Sequence, residues 1–131
     1  MHIKPRSIGY WGTTGLVATV LLAGGGAQLA AMPETTAGIR ELGYPLYLLN
    51  ILGVWKVLGA AALLAPRLPR LKEWAYAGVV FDLTGAAASH FFSSDAAGGV
   101  TPLVLLLLAL ASWALRPPSR TWNFDAAPAS P

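Results

Sequence analysis

Four long apolar stretches dominate the sequence. They cover residues 7–33, 44–66, 74–94 and 96–115. As a helix, each is long enough to cross most or all of a hydrocarbon layer ~30 Å thick. Lys56 in the second stretch and Asp82 in the third each interrupt an otherwise apolar run. A charge at the centre of a membrane helix costs roughly 2.5–3.5 kcal/mol, so these two residues need a structural or functional reason.

The composition agrees with a membrane protein. Hydrophobic residues make up 55% of the chain and charged residues 11%, and the mean hydropathy is +0.55. These values argue against a water-soluble fold built around one small core. The chain contains no cysteine, which excludes disulfide exchange, thiolate metal sites and cysteine nucleophiles.

We predict an all-α fold, an antiparallel bundle of four transmembrane helices with a short outer surface helix between spans 1 and 2. The predicted spans are 8–32, 45–65, 74–93 and 100–115. Residues 1–116 form one membrane domain, and the Pro/Ala/Ser-rich segment 117–131 is predicted to be a disordered tail.

The connection between the first two spans, 33–45, carries its own helix signals. Thr35 or Thr36 could cap a short helix, and Gly43 could end it in a left-handed conformation. Pro45 would then open the second span. The outer turn between spans 3 and 4, residues 93–101, is rich in glycine.

The basic residues predict the orientation of the spans. Seven lie on one side of the membrane, and Arg40 lies alone on the other. The seven are Lys4, Arg6, Arg67, Arg70, Lys72, Arg116 and Arg120. The positive-inside rule therefore places both termini in the cytoplasm. No basic surface with interleaved aromatic residues is evident, so we expect no nucleic-acid partner.

Lys56 and Asp82 are expected to form an ion pair. Lys56 lies ten residues before Pro66, and Asp82 lies eight residues after Trp74. At 1.5 Å per residue they are about 15 and 12 Å from the inner end of their spans. Opposite charges at matched depth on neighbouring helices favour pairing, either as a staple that fixes helix register or as part of a ligand site.

Further polar residues are predicted to converge above this pair in a chamber open to the outer side. The candidate ligand-binding residues are Lys56, Asp82, His90, Asn50, Gln28, Glu34 and Tyr44. Glu34 is the carboxylate expected nearest to His90, which could exchange protons near the outer face. We assign no catalytic residue and expect no metal, because two histidines without cysteine do not make a metal site.

Spans 2 and 3 resemble the DoxX-like family of small bacterial membrane proteins. The resemblance rests on 42–47 (LGYPLY), 53–59 (GVWKVLG), 71–78 (LKEWAYAG), Phe81-Asp82-Leu83, Gly85-Ala86 and Ser89-His90. It implies a four-helix fold in the bacterial plasma membrane, with Lys56, Asp82 and His90 at the family's polar positions inside the membrane. The family's namesake relatives are linked to thiosulfate:quinone oxidoreductase complexes.

Three functions are compatible with the sequence. We favour a bundle that binds a small, partly apolar and quinone-like molecule, or an accessory subunit for a redox or detoxification partner protein. The alternatives are a small proton-coupled exporter and a structural or assembly factor without a ligand. A non-enzymatic role is favoured. The expected partner is the lipid bilayer. The sequence does not identify the ligand, a partner protein or a homo-oligomeric state.

Overall fold

The computed structural model describes residues 4–122 and is entirely helical apart from its turns. The α-helices are α1 (Pro5–Leu29), α2 (Pro33–Glu41), α3 (Tyr47–Leu64), α4 (Pro69–Phe92) and α5 (Ala96–Ala114), followed by a short 3-10 helix (Pro118–Arg120). The predicted all-α class is confirmed. The helix α2 lies between the first two long helices, where a short helix was expected.

Prolines fix the starts of several helices. Pro5, Pro33 and Pro69 each lie in the first turn of their helix, where the missing N–H has no intrahelical partner to lose. The cap predicted at Thr35 or Thr36 is therefore wrong. Both hydroxyls lie inside the first turn and donate to the carbonyl of Met32 instead. The left-handed conformation predicted for Gly43 is confirmed, with a φ of +81°.

The last two long helices begin earlier than predicted. Helix α4 starts at Pro69 rather than 74, and α5 starts at Ala96 rather than 100. Asp95 explains the second difference, because its side chain accepts a hydrogen bond from the Gly98 N–H and so caps the helix. The glycine-rich turn is thereby shortened, since its glycines lie inside α5.

Three helices in the described range are long and apolar enough to cross a membrane: α1, α3 and α5. Helix α4 does not meet that criterion, although it has 24 residues. Large apolar side chains are exposed on the long helices, including Trp74 at 77% and Phe81 at 74% on α4 itself. The predicted count of four spans is thus not established by length and composition alone.

The core lies where α1, α4 and α5 meet α3. Leu21, Leu63, Val79 and Leu83 are among its buried side chains. A chain of buried hydroxyls crosses it and joins three helices. The Thr14 and Ser112 hydroxyl oxygens are 2.5 Å apart, and Ser112 lies 2.7 Å from the Tyr76 hydroxyl.

Helices α1 and α3 approach each other at two glycines. A Cβ added to Gly53 would lie 2.7 Å from the Leu29 side chain and 2.9 Å from the Gly25 carbonyl oxygen. A Cβ on Gly25 would lie 3.0 Å from the Gly53 carbonyl oxygen. Small residues allow membrane helices to pack backbone to backbone, and here they make α1–α3 a close interface.

Two cations cap the carboxyl end of α3. The Lys72 ammonium donates to the carbonyls of Ala62, at 2.7 Å, and Ala65. Arg120 donates to the Leu63 carbonyl at 3.0 Å. The last carbonyls of a helix have no partner within it. A cation at this end also interacts favourably with the negative end of the helix dipole. Lys72 lies in the first turn of α4, before the predicted span. Its burial, and then the nearby Arg120, lower the pKa of Lys72 to about 8.

Part of the predicted disordered tail is ordered. Residues 118–120 form the 3-10 helix, and Arg120 is only 9% exposed. Its guanidinium lies 4.6 Å from the ring centre of Trp11 and reaches the α3 carbonyls. The Pro/Ala/Ser-rich composition predicted disorder, but the terminal carbonyls of α3 give this arginine a buried partner. Residues 123–131 of the predicted tail lie outside the described range.

Alanine substitutions on α3 test the close interface. We expect Gly53→Ala to destabilise the protein by roughly 1–3 kcal/mol, because its Cβ has no room beside α1. Gly59→Ala, on the same helix, meets nothing within 4 Å and serves as the control. Alanine favours a helix over glycine by ~1 kcal/mol, so the control should keep or raise Tm. Equal Tm values for the two variants would contradict the close approach.

A candidate ligand site between α3 and α4

The ion pair predicted from helix depth is present in the structure. The Lys56 Nζ of α3 lies 3.7 Å from the Asp82 Oδ2 of α4. The two side chains are 21% and 20% exposed, so they border open space rather than a sealed core. Gly25 of α1 packs behind the Cβ of Lys56, which leaves the lysine side chain free to extend toward α4.

Three cavities meet at this pair. We call the end of the bundle that carries α2 the top. An upper cavity of about 390 Å³ lies there between α2, α3 and α4. A lower groove of about 380 Å³ continues between α3 and α4 toward their connecting turn. A small rear cavity of about 90 Å³ lies on the α1 and α5 side. Lys56 and Asp82 line all three.

The cavities exist because α3 and α4 touch at only a few levels. At the top, α3 itself makes no polar link to α4 within the described residues, but the Tyr44 hydroxyl in the turn before α3 lies 2.7 Å from the Ser89 hydroxyl oxygen of α4. The ion pair crosses in the middle, and Lys72 of α4 binds the end of α3 at the bottom. Helix α3 packs much more closely on α1 than on α4. Open space therefore remains above and below the pair.

The upper cavity contains most of the polar residues predicted for the site. Gln28, Tyr44 and His90 line it together with Lys56 and Asp82. Ser89 also lines it and donates its own hydroxyl hydrogen to the Gly85 carbonyl at 2.8 Å. The Tyr44 hydroxyl is consequently the donor in the bond to Ser89.

Gln28 lines this cavity and also has one unsatisfied polar atom. Its side-chain oxygen Oε1 is buried and accepts no hydrogen bond. Buried polar atoms without a partner are rare in folded proteins and call for an explanation. The oxygen is enclosed by the packed helices and is not exposed to the cavity.

His90 pairs with a different carboxylate from the one expected. Its Nδ1 lies 2.9 Å from the Asp95 Oδ2, whereas Glu34 is exposed on α2 and does not line the upper cavity. The Gly98 N–H, and then the His90 ring, lower the pKa of the Asp95 carboxyl. Asp95 is close because it caps α5 one turn after α4 ends. The sequence did carry a signal for this cap, because aspartate is a preferred N-cap residue and Gly98 supplies an N–H three residues later.

Asn50 is also outside the cluster. It is exposed on the first turn of α3 and does not line the upper cavity. Of the seven predicted ligand-binding residues, the structure therefore gathers Lys56, Asp82, Gln28, Tyr44 and His90. Within residues 4–122 no group of three His, Asp or Glu side chains is placed to hold a metal ion.

The lower groove was not anticipated from the sequence. Trp55, Leu58, Leu71 and Trp74 form much of its apolar lining. Gly59 and Gly78 line it from the two helices, and a Cβ at either position would meet nothing within 4 Å. These two glycines leave a gap between α3 and α4.

The arrangement is suited to binding a small molecule. One cation and one anion cancel each other at the centre, with hydroxyl and amide groups above and an apolar groove below. Such a site could orient a small molecule that has a polar and an apolar part, since pockets of ~300–1,000 Å³ are typical for small ligands.

Substitutions at the ion pair test whether the two charges are coupled. We expect Lys56→Met or Asp82→Leu alone to cost roughly 3–5 kcal/mol, because each leaves an unpaired charge away from water. The double variant Lys56→Met, Asp82→Leu should recover most of that loss. The measurement is thermal unfolding in a mild detergent. Three variants with the same Tm would show that the residues do not interact.

Comparison with known proteins gives one match. The model of the DoxX-like family matches residues 12–112, from the first turns of α1 to the last turns of α5. No curated protein and no solved structure matches the chain. The match covers most of the sequence and includes both members of the ion pair. Together with the apolar helices it indicates an integral membrane protein, and the chain belongs to the DoxX-like family.

Proposed function

We propose that this DoxX-like protein binds a small, partly apolar molecule between α3 and α4. The ion pair at the junction of three cavities carries the proposal. A pair that served only to fix helix register would be expected in a close-packed interface, since protein interiors leave few voids larger than a water molecule. Lys56 and Asp82 instead border cavities of about 390 and 380 Å³.

The proposed role is that of an accessory membrane subunit in a redox or detoxification system. It is supported by the resemblance of spans 2 and 3 to a family whose namesake relatives are linked to thiosulfate:quinone oxidoreductase complexes. A quinone-like molecule has the polar and apolar parts that the site could accommodate. The chain has no cysteine, so a thiol-based electron transfer would have to come from a partner protein.

We further propose that α4 is a fourth span and that both termini lie in the cytoplasm of a bacterium. Asp82 and the polar ends of α4 reduce its apolar character, but the partner Lys56 offsets the charge of Asp82 within the bundle. Exposed Trp74 and Phe81 on α4 are suited to contact with lipid. The excess of basic residues on one side supports the orientation.

Ligand retention tests the binding function. We expect the protein, purified in mild detergent from a bacterial host, to retain a small apolar molecule detectable by mass spectrometry of an organic extract. Asp82→Asn and Lys56→Met should reduce its amount at least several-fold per mole of folded protein. The Gly12→Ala variant, far from the cavities on an open part of α1, is the control. Absence of any retained molecule, or equal retention in all variants, would refute the proposal.

Cysteine labelling tests the orientation on this cysteine-free background. We expect Gly38→Cys and Ala97→Cys to react with a membrane-impermeant maleimide in intact bacterial spheroplasts. Leu68→Cys and Ser119→Cys should react only after the membrane is opened. These residues lie near alternating ends of the long helices. Leu68, Ala97 and Ser119 are exposed, and a Cβ at Gly38 would meet nothing within 4 Å. Labelling of 38 and 97 on opposite sides would show that α3 and α4 do not both span the membrane.

A further inference from the structure

We infer that the ion pair itself binds the head group of the ligand, and that this head group is uncharged and carries an oxygen, such as a carbonyl, that accepts a hydrogen bond from Lys56. The apolar chain of the ligand lies in the lower groove, which it enters from the lipid. The inference rests on the proposed function, because it assumes that the cleft binds a small molecule. It adds the class of head group, the residue that recognises it and the position of the chain.

The hydrogen-bonding atoms of the ion pair are free and face open space. The 3.7 Å between Lys56 Nζ and Asp82 Oδ2 allows charge attraction but exceeds the length of a hydrogen bond. Within residues 4–122 neither side chain makes a hydrogen bond, yet neither has a polar atom that is buried without a partner. Their polar atoms are therefore accessible from the cavities, in contrast to the enclosed oxygen of Gln28.

An ammonium group without a hydrogen bond favours a ligand that brings an oxygen acceptor. Lys56 has three N–H donors and no acceptor of its own. A carbonyl oxygen beside the pair would accept from one of them, and hydrogen bonds to a charged group are stronger than those between neutral groups. A quinone-like ring has such an oxygen. Leu48, Leu52 and Phe81 give the upper cavity apolar walls against which the ring could pack.

The absence of net charge in the ligand follows from the charges that face the cleft. Among the described residues that line the upper cavity and the lower groove, Lys56 and Asp82 are the only lysine, arginine, aspartate or glutamate, and their charges offset each other. His90 at the mouth is paired with Asp95. An anionic head group would compete with Asp82 for Lys56, and a cationic one would compete with Lys56 for Asp82. Either would leave one charge uncompensated away from bulk water, which is costly.

The lower groove is suited to the apolar chain. Apart from Lys56 and Asp82 at its upper end, it is lined by apolar side chains and glycines. Leu71, near its lower end, lies eleven residues before Asp82 on α4, which corresponds to about 16 Å of helix. Trp55 and Trp74 border the groove and are 68% and 77% exposed, so the groove is open toward the surface that would face lipid. A chain can therefore enter sideways from the bilayer without opening the close α1–α3 interface.

Two kinds of variant separate the chain from the head group. Gly59 and Gly78 line the lower groove, and a Cβ at either position meets nothing within 4 Å, so leucine there would fill the chain's space with little strain on the fold. Gly12→Leu on α1 is the matched control, since Gly12 is exposed and open and lines none of the three cavities. The double variant Lys56→Met, Asp82→Leu removes the donor without leaving an unpaired charge.

The experiment is photoaffinity labelling of the full chain in lipid nanodiscs. The probes are a long-chain methyl ketone with a diazirine in its chain, the alkane of the same length that lacks the oxygen, and the corresponding alkyl sulfonate, which is permanently anionic. Labelled peptides are located by mass spectrometry, and circular dichroism and Tm establish that each variant is folded. We expect the ketone to label residues of the lower groove, with Leu58, Leu71 and Trp74 as the main sites.

Filling the lower groove should abolish this labelling. We expect Gly59→Leu and Gly78→Leu each to reduce it at least tenfold, and Gly12→Leu to leave it unchanged. Two groove variants keep the test valid if one of them fails to fold. Labelling of the wild type outside the groove, or folded groove variants that label like the wild type, would show that the chain does not lie there. A molecule retained from the host would in that case still support the proposed function.

The three probes test the head group. We expect the half-saturating concentration of the ketone to be roughly ten- to a hundredfold lower than that of the alkane, the range for one hydrogen bond to a charged group. In the double variant Lys56→Met, Asp82→Leu this difference should disappear, while the alkane still labels the groove. Equal labelling by ketone and alkane in the wild type, tighter binding of the sulfonate, or a ketone preference that survives in the double variant would overturn the inference about the head group. Failure of all three probes, together with no retained molecule from the host, would refute the proposed function itself.

Discussion

The attraction between Lys56 and Asp82 is the interaction on which the arrangement of α3 and α4 depends. Each charge alone is costly in a helix that is surrounded by apolar groups, so each helix needs the other at that depth. The 3.7 Å pair joins the two helices at mid-height. Above the pair, the Tyr44–Ser89 bond joins the turn before α3 to α4, and below it Lys72 of α4 binds the end of α3. The cavities occupy the intervals between these links.

The two sides of α3 show how membrane helices can associate in different ways. Toward α1, Gly53 and Gly25 remove the side chains from the interface and allow backbone contact. Toward α4, Gly59 and Gly78 also lack side chains, but they line the open lower groove. The same residue type therefore produces a close interface on one face and open space on the other.

Sequence reasoning succeeded where a local rule or a strong energetic cost applied. The cost of an unpaired charge was enough to predict the Lys56–Asp82 pair, and the preference of glycine for positive φ was enough for Gly43. It failed where several partners could compete. His90 was matched with Glu34 by estimated height, but Asp95 is nearer because α5 begins at once after the turn. Arg120 was placed in a disordered tail because its partners, the end carbonyls of α3, belong to a distant part of the chain.

The sequence by itself determined the helical class, the approximate extents of the long helices and the pairing of the two central charges. These follow from apolar length, from proline and glycine positions and from the cost of a lone charge, all of which depend on local composition. Only the tertiary structure decided that Gln28 keeps an unsatisfied oxygen, that Asn50 and Glu34 lie outside the cluster, and that an apolar groove opens below the pair. Such features depend on the distances and rotations between whole helices. Small differences in packing energy, summed over many contacts, set those distances, and no short sequence pattern encodes them.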